Sequence, residues 1–308
     1  MNEAYNKKIN TNMTISELLK ILWNRKILII SLTSIFVMIG IVVVLNMPNI
    51  YTSSATLKLS QDLSQNRSSS LGSLGGLASV AGVGSSSEEV GRMDELFARL
   101  RSRDFLKHIL TFDLVQQNIT ASKGFDLISE EIIYDEEVYD LINNRWVGNS
   151  RKFKSTVPSF TETQVYFYKS VGFYENKLNG LITISVSHHS PIFAKDLLNL
   201  LINEINNISR LSQIEESEES LAYLTNYLKT MNNKDIKISI NQIMLKEMQN
   251  LMHASVNKDF ILEIIDNPFV PEKRSSPKRT QFVFMAFLAG ILSSIFFIIL
   301  KDIIFYRK

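Results

Sequence analysis

Two stretches of the chain, residues 27–45 (ILIISLTSIFVMIGIVVVL) and 281–300 (QFVFMAFLAGILSSIFFIIL), carry no charged side chain. Each has the roughly 20 apolar residues a helix needs to cross a bilayer core about 30 Å thick. Inside lipid the backbone must bond to itself, so each stretch predicts a transmembrane helix. Between them the pattern is that of a folded domain. Residues 51–59 alternate, with Ala55, Leu57 and Leu59 opposite Thr56 and Lys58, which predicts a strand. Residues 165–169 and 181–187 read as two further strands, joined through a region holding Gly172, Asn179 and Gly180, with Ile182, Ile184 and Val186 on one face. Residues 260–265 read as a last short strand. Helical spacing marks residues 88–111, through Val90, Met93, Leu96, Phe97 and Leu100.

A long helix is predicted over about residues 191–257. Ser190 is its cap and Pro191 its first residue. Ala194, Leu197, Leu198, Leu201, Ile205 and Ile208 form one stripe, continued by Leu221, Leu224, Leu228 and Met231, then Ile236, Ile240 and Ile243. The period slips at residues 231–234. Sixty unbroken helical residues would reach about 90 Å, so the helix either stands far out from the rest of the domain or folds back near Asn232. Either way its apolar stripe needs partners, which points to self-association.

The remaining segments are read by composition. Residues 14–24 (TISELLKILWN) form an amphipathic helix at the membrane face, or simply lengthen the first span; Thr14 and Glu17 have the spacing of a capping box. Residues 68–87 are rich in serine and glycine, as in a flexible loop. Leu71, Leu74, Leu77, Val80 and Val83 recur within them every third residue, as in a loop that packs on a neighbour. Arg99, Arg101 and Arg103 read as a solvated face paired with Asp94, Glu95 and Asp104, or as a contact for an anionic polymer or lipid phosphate. Residues 126–142 are acidic, lack the spacing and glycine of a calcium loop, and read as a solvated helical face.

Charge sets an orientation. The chain has 33 basic and 31 acidic residues. Lys7, Lys8, Lys20, Arg25 and Lys26 before the first span, and Lys301, Arg307 and Lys308 after the second, against Glu3, Glu17 and Asp302, give the ends a net +5, leaving −3 for the middle. Basic ends stay in the cytoplasm, so the middle is expected outside it. The first span is too long for a signal-peptide core and no small-x-small site follows it, which predicts an uncleaved anchor. No basic stripe in the middle suggests nucleic acid. Cysteine is absent, which excludes thiol chemistry and zinc–cysteine sites. No phosphate-binding glycine loop and no Gly-x-Ser-x-Gly occur. His188 and His189 are adjacent after a strand and point to opposite faces, unlike a metal pair. No cofactor, metal or catalytic residue is expected.

Two features near the second span carry the candidate contacts. Pro268, Pro271 and Pro277 hold residues 267–280 extended as a semi-rigid strut ending in Lys278 and Arg279, which can pair with lipid phosphates. Ala286, Gly290 and Ser294 recur every fourth residue and form a small-residue face for packing between spans or against a polymerase. The predicted organisation is a cytoplasmic N-terminus (1–26), a span (27–45), an extracytoplasmic α+β domain (46–266), the strut (267–280), a second span (281–300) and a cytoplasmic tail (301–308). The first strand leaves one span and the last enters the other. The simplest fold pairs them in a membrane-proximal mixed sheet with long extended helices beyond.

Several of these residues resemble one family. They are the amphipathic N-terminus, the strand at Tyr51, the Gly/Ser/Leu segment, Leu-Arg-Ser-Arg-Asp-Phe at 100–105, Ser187-His188-His189-Ser190-Pro191 with Ala194, and Glu219-Ser220-Leu221-Ala222-Tyr223-Leu224. The strongest is the run from Pro268 through Pro271-Glu-Lys-Arg-Ser-Ser-Pro277-Lys278-Arg279. Together these are similar to Wzz-type polysaccharide co-polymerases. The resemblance implies a two-pass protein of the inner membrane of Gram-negative bacteria, with both termini cytoplasmic and a periplasmic main domain. It implies a bell-shaped homo-oligomer, without catalysis of its own, that sets the modal length of O-antigen, capsule or a related glycan made by the Wzy-dependent route. Its partners would be the membrane polymerase and the lipid-linked glycan. Arg274, where many relatives have a further proline, and Ala289-Gly290, where many have a glycine pair, blur the subtype. Two rivals stand beside this reading. One is a two-span adaptor activating a separate cytoplasmic tyrosine kinase, which the eight-residue tail disfavours. The other is a periplasmic glycan hydrolase, which would need paired carboxylates in a cleft.

Overall fold

The computed structural model describes residues 23–60, 85–148, 152–231 and 233–305. The segment predicted as an amphipathic helix falls almost wholly outside these, as does most of the Gly/Ser-rich segment at 68–87. The chain forms two units, one of residues Ile50–Arg274 and one of the two flanking segments, Met1–Asn49 with Ser275–Lys308.

The larger unit is built on a four-stranded sheet of β1 (Tyr51–Leu59), β6 (Val171–Asn176), β7 (Leu181–His188) and β8 (Leu262–Asp266), in the order β6-β7-β1-β8. Every pairing is antiparallel, so the sheet is not mixed. The reason is local: β6 and β7 are a hairpin, while β1 and β8 run in opposite senses beside each other. Along β1 the buried residues are Tyr51, Ser53, Ala55, Leu57 and Leu59. Along β7 they are Ile182, Ile184, Val186 and His188, in register with β1 from Tyr51↔His188 to Leu57↔Ile182. One face of the sheet is therefore the core face. Burying each such Leu or Ile contributes about 1.5–3 kcal/mol.

Helices α2 (Ser85–Leu100), α3 (Arg103–Ile109), α4 (Val115–Ala121) and α5 (Phe160–Ser170) join the inner half of α6 (Pro191–Thr230) in this core. The single helix expected over 88–111 is broken at Arg101-Ser102. Ser102 is extended (φ −70°, ψ 151°), and its Oγ accepts from Phe105 N–H, so it starts a new helix. The strand expected at 165–169 is α5 instead. Ser159 and Glu162 form a reciprocal capping box at its start, and its Phe167 is fully buried. The strand partner of β7 begins only at Val171, and the hairpin turns through Gly180 at φ 66°.

The acidic stretch 126–142 is not a helix. It contains β3 (Ile132–Tyr134) and the first of two tight turns, and reaches into the second; with β2 (Ser122–Phe125), β4 (Tyr139–Asp140) and β5 (Arg145–Trp146) it makes two small hairpins. Asp126 Oδ1 accepts from Ile128 N–H at 2.9 Å and Asp140 Oδ1 from Asn143 N–H at 3.1 Å. These side chains offer the backbone a turn in place of a helix. A small second core of Ala121, Val138 and Tyr139, with Tyr134, Trp146 and Phe153, holds the hairpins.

Helix α6 runs 40 residues, about 60 Å at 1.5 Å per residue. Its cap is Ser190, whose Oγ accepts from Phe193 N–H. Its buried residues cluster between Pro191 and Ser209; beyond these, Ser217 is buried and the rest is half-buried or exposed. It ends at Thr230, where the apolar period slips, and α7 (Lys234–Val256) folds back along it. Ser217 Oγ–H donates to Glu247 across the pair at 3.0 Å.

In the other unit, α1 (Lys26–Asn46) and α8 (Arg279–Phe305) are long and apolar enough to cross a membrane, α8 over Arg279–Lys301. They pack antiparallel on each other.

Candidate functional site

The small-residue face of α8 lies against α1. A Cβ placed on Gly290 would sit 3.0 Å from Phe36 Cβ and 3.1 Å from Thr33 Cα. Ala286 Cβ would lie 2.6 Å from a Cβ placed on Gly40. Ser294 is fully buried, and its Oγ–H donates to Gly290 C=O at 2.6 Å, so its hydroxyl is satisfied within its own helix. Thr33, also buried, does the same to Ile29 C=O at 2.7 Å. The pair thus approaches closely with the Thr33 and Ser294 hydroxyls each satisfied within its own helix. Gly40 and Thr33 were not singled out from the sequence; their seven-residue spacing, two helical turns on one face, was the available signal.

The residues predicted as a strut divide between the two units. In the larger one Pro268 and Pro271 are buried while Phe269 and Val270 between them are exposed. Ser53, fully buried in β1, donates its Oγ–H to Phe269 C=O at 2.7 Å. This stretch is packed onto its own unit rather than free-standing. In the span unit Pro277 is buried, Lys278 is exposed, and Arg279 Nη2 donates to Asn49 Oδ1 at 3.2 Å. That bond ties the residues just outside the two spans together.

Of the arginine trio, Arg99 pairs with Glu95 at 3.0 Å. The Arg101 guanidinium lies over the rings of Phe97 and Phe173, 5.9 and 5.8 Å from their centroids. Arg103 opens α3 on the exposed side. In the acidic stretch, the Lys152 ammonium hydrogen-bonds Asp135 and holds its carboxyl below the usual carboxylate range.

His188 and His189 separate as their place in a strand demands. His188 is buried, its Nδ1 accepting from Ser190 N–H and its Nε2 2.9 Å from both Asn118 C=O and Ser122 Oγ. With Nδ1 an acceptor, Nε2 carries the proton, and burial pushes the imidazole pKa down to about 4. It is a neutral strut between β7 and α4. Among the described residues no group of His, Asp or Glu has a metal-binding arrangement.

These features describe a folded unit bracketed in sequence by two packed apolar helices. A family model described as chain length determinant protein, Wzz, matches residues 11–110. Among solved structures, one described as a full-length bacterial polysaccharide co-polymerase aligns with a TM-score of 0.39 and 13% identity, covering 94% of this chain and 98% of that one. No curated protein sequence matches the chain. The family match runs through α1, β1, α2 and α3.

Proposed function

We propose that this chain regulates the length of a surface polysaccharide, O-antigen or a related glycan, made by a Wzy-type polymerase. The family match over residues 11–110 is the observation that carries the reading. The chain sits in the inner membrane through α1 and α8, both ends cytoplasmic, with residues 46–266 in the periplasm. The charge asymmetry of the ends supports that orientation. The protein works as a homo-oligomer on the polymerase, contacting the lipid-linked glycan, and contributes no catalysis of its own. Support for the oligomer comes from the α6–α7 pair, along which Tyr223, Leu245, Met248, Met252 and Val256 are exposed. A helix pair this apolar on its outside needs a partner.

Within the spans, the Ala286–Gly290–Ser294 face serves packing against α1, so a polymerase would read the outer surface of the packed pair. The proline segment ties the last strand to the second span. The decisive experiment removes the gene and compares the glycan ladder on a gel. A broadened or shifted ladder, restored by the full-length chain, is expected; an unchanged ladder overturns the reading.

A further inference from the structure

The two small hairpins of the larger unit are copies of one device. Phe125-Asp126-Leu127-Ile128-Ser129-Glu130 and Tyr139-Asp140-Leu141-Ile142-Asn143-Asn144 align residue by residue, fourteen positions apart. In each, an aromatic residue on the strand precedes an aspartate whose side chain accepts a backbone N–H of the turn. In each, the residue after the tip is left-handed, Glu130 at φ 56° and Asn144 at φ 48°. Both turns present a Leu-Ile pair at the tip. Leu127 and Ile128 are 65% and 95% exposed, Leu141 and Ile142 50% and 95%. Single exposed aliphatics are ordinary, but two adjacent pairs on two rigid turns of the same geometry are not. The aromatic ends of the hairpins fix them: Tyr139 packs on Tyr134 and Trp146 at 5.5 and 5.1 Å, and its hydroxyl bonds Asn144. The tips are therefore held outward in advance of any contact.

The flank of the tips is acidic on balance, with Asp126, Glu130 and Glu131 at the first and Asp140 at the second, where Arg145 lies against it. That disfavours insertion among anionic lipids and calls for a basic, partly apolar receiver. The same chain has one. Arg101 is held over two phenylalanine rings, Tyr168 O–H donates to its backbone C=O at 2.5 Å, and Arg103 follows on the exposed side. Val165, one turn before Tyr168 on α5, is half exposed. We infer that the Leu-Ile hairpin tips of one copy dock on the Arg101–Tyr168–Val165 face of a second copy, the acidic flank of the tips meeting Arg101 and Arg103. Tip and receiver are different surfaces, so the contact is heterologous and can repeat from copy to copy. The inference rests on the oligomer reading above and names the surface that makes it.

The chain has no cysteine, which makes the test clean. Ile128→Cys and Val165→Cys are expressed together as two singly substituted full-length chains in native membranes and oxidised. A disulfide-linked dimer is expected when both are present, and monomer with either alone; one chain carrying both substitutions should give a ladder beyond dimer. Absence of the mixed dimer overturns the inference, as does a dimer from Ile128→Cys alone. Burial of a spin label at Ile128→Cys in lipid, without the mixed dimer, places the tips in the bilayer and overturns it too. Ile128→Ser with Ile142→Ser should reduce the oligomer at least several-fold by light scattering in detergent. The glycan ladder of the gene deletion is read separately, so loss of the mixed dimer with an altered deletion ladder rejects this surface and leaves the chain-length reading standing.

Discussion

The side-chain amide of Asn206, in the middle of α6, bonds both backbone groups of Leu262 in β8. Its Nδ2–H donates to Leu262 C=O at 2.9 Å, and its Oδ1 accepts from Leu262 N–H at 2.8 Å and Ile261 N–H at 3.0 Å. β8 is an edge strand with β1 on one side only. Asn206 therefore supplies, from a helix, hydrogen bonds that another strand would otherwise provide. Asn206 and Leu262 are both buried. Asn206→Leu keeps the volume but leaves two donors and an acceptor without partners, at about 1–3 kcal/mol for each orphaned group. A fall in stability of about 2–5 kcal/mol is expected, read as a lowered denaturation midpoint of the full chain in detergent. Hydrogen exchange at residues 261–262 should accelerate more than at Leu57.

Gly290 lies at a close approach of the two apolar helices. An added Cβ meets the Thr33 backbone, which cannot swing aside as a flexible side chain could. Gly290→Leu must push α1 and α8 apart, at the roughly 1–3 kcal/mol typical of an overpacked contact. Spin labels at Leu45→Cys and Thr280→Cys report the separation. The distance distribution should lengthen and broaden in Gly290→Leu, whereas Leu292→Ala, on the exposed side of α8, should leave it unchanged.

His188 makes folding sensitive to acid. Its folded pKa is about 4, against about 6.5 in an unfolded chain. As pH falls through 6.5 the unfolded chain takes up a proton that the folded one refuses, so stability declines steadily until about pH 4 and then levels off. The 2.5-unit gap corresponds to about 3 kcal/mol. Melting temperature measured from pH 7.5 to 4 should therefore fall, and the fall should be shallower in His188→Gln, which cannot titrate. Equal slopes would mean that carboxylates alone account for the acid sensitivity.

The elements legible in the sequence are those whose burial pattern and propensity agree. The alternation in β1 and β7 and the stripe from Ala194 to Ile205 each reach one buried face. Where the two signals conflict, pattern alone misleads. Residues 165–169 (VYFYK) are β-formers by type, yet the Ser159–Glu162 box starts a helix and Phe167 anchors it in the core. The acidic residues of 126–142 suggest a solvated helix by charge alone; the repeated Asp-Leu-Ile is the sign of two turns. The small-residue face of α8 was visible as spacing, but its partners Thr33 and Gly40 lie some 250 residues earlier and show no local pattern of their own. Asn206 has no signal in the sequence, since nothing local announces which strand a helix side chain will serve.

The proline segment is the route by which the last strand reaches the second span, and Ser53 fastens it. Ser53 is fully buried in β1, and its hydroxyl bonds Phe269 C=O between the buried prolines 268 and 271. Neither proline can donate a hydrogen bond, so this side-chain bond is one of the few available to hold the segment down. Ser53→Ala removes it with almost no change of volume and leaves the carbonyl to find water. The expected cost is about 1 kcal/mol, too small to unfold the sheet. The loosening should be local: amide exchange at Phe269 and Val270 should rise several-fold while Ser54 and Ala55 keep their protection. If the segment transmits the position of the folded unit to the second span, the same variant should broaden the glycan ladder without lowering the amount of protein in the membrane. Faster exchange with an unaltered ladder would confine Ser53 to a structural role.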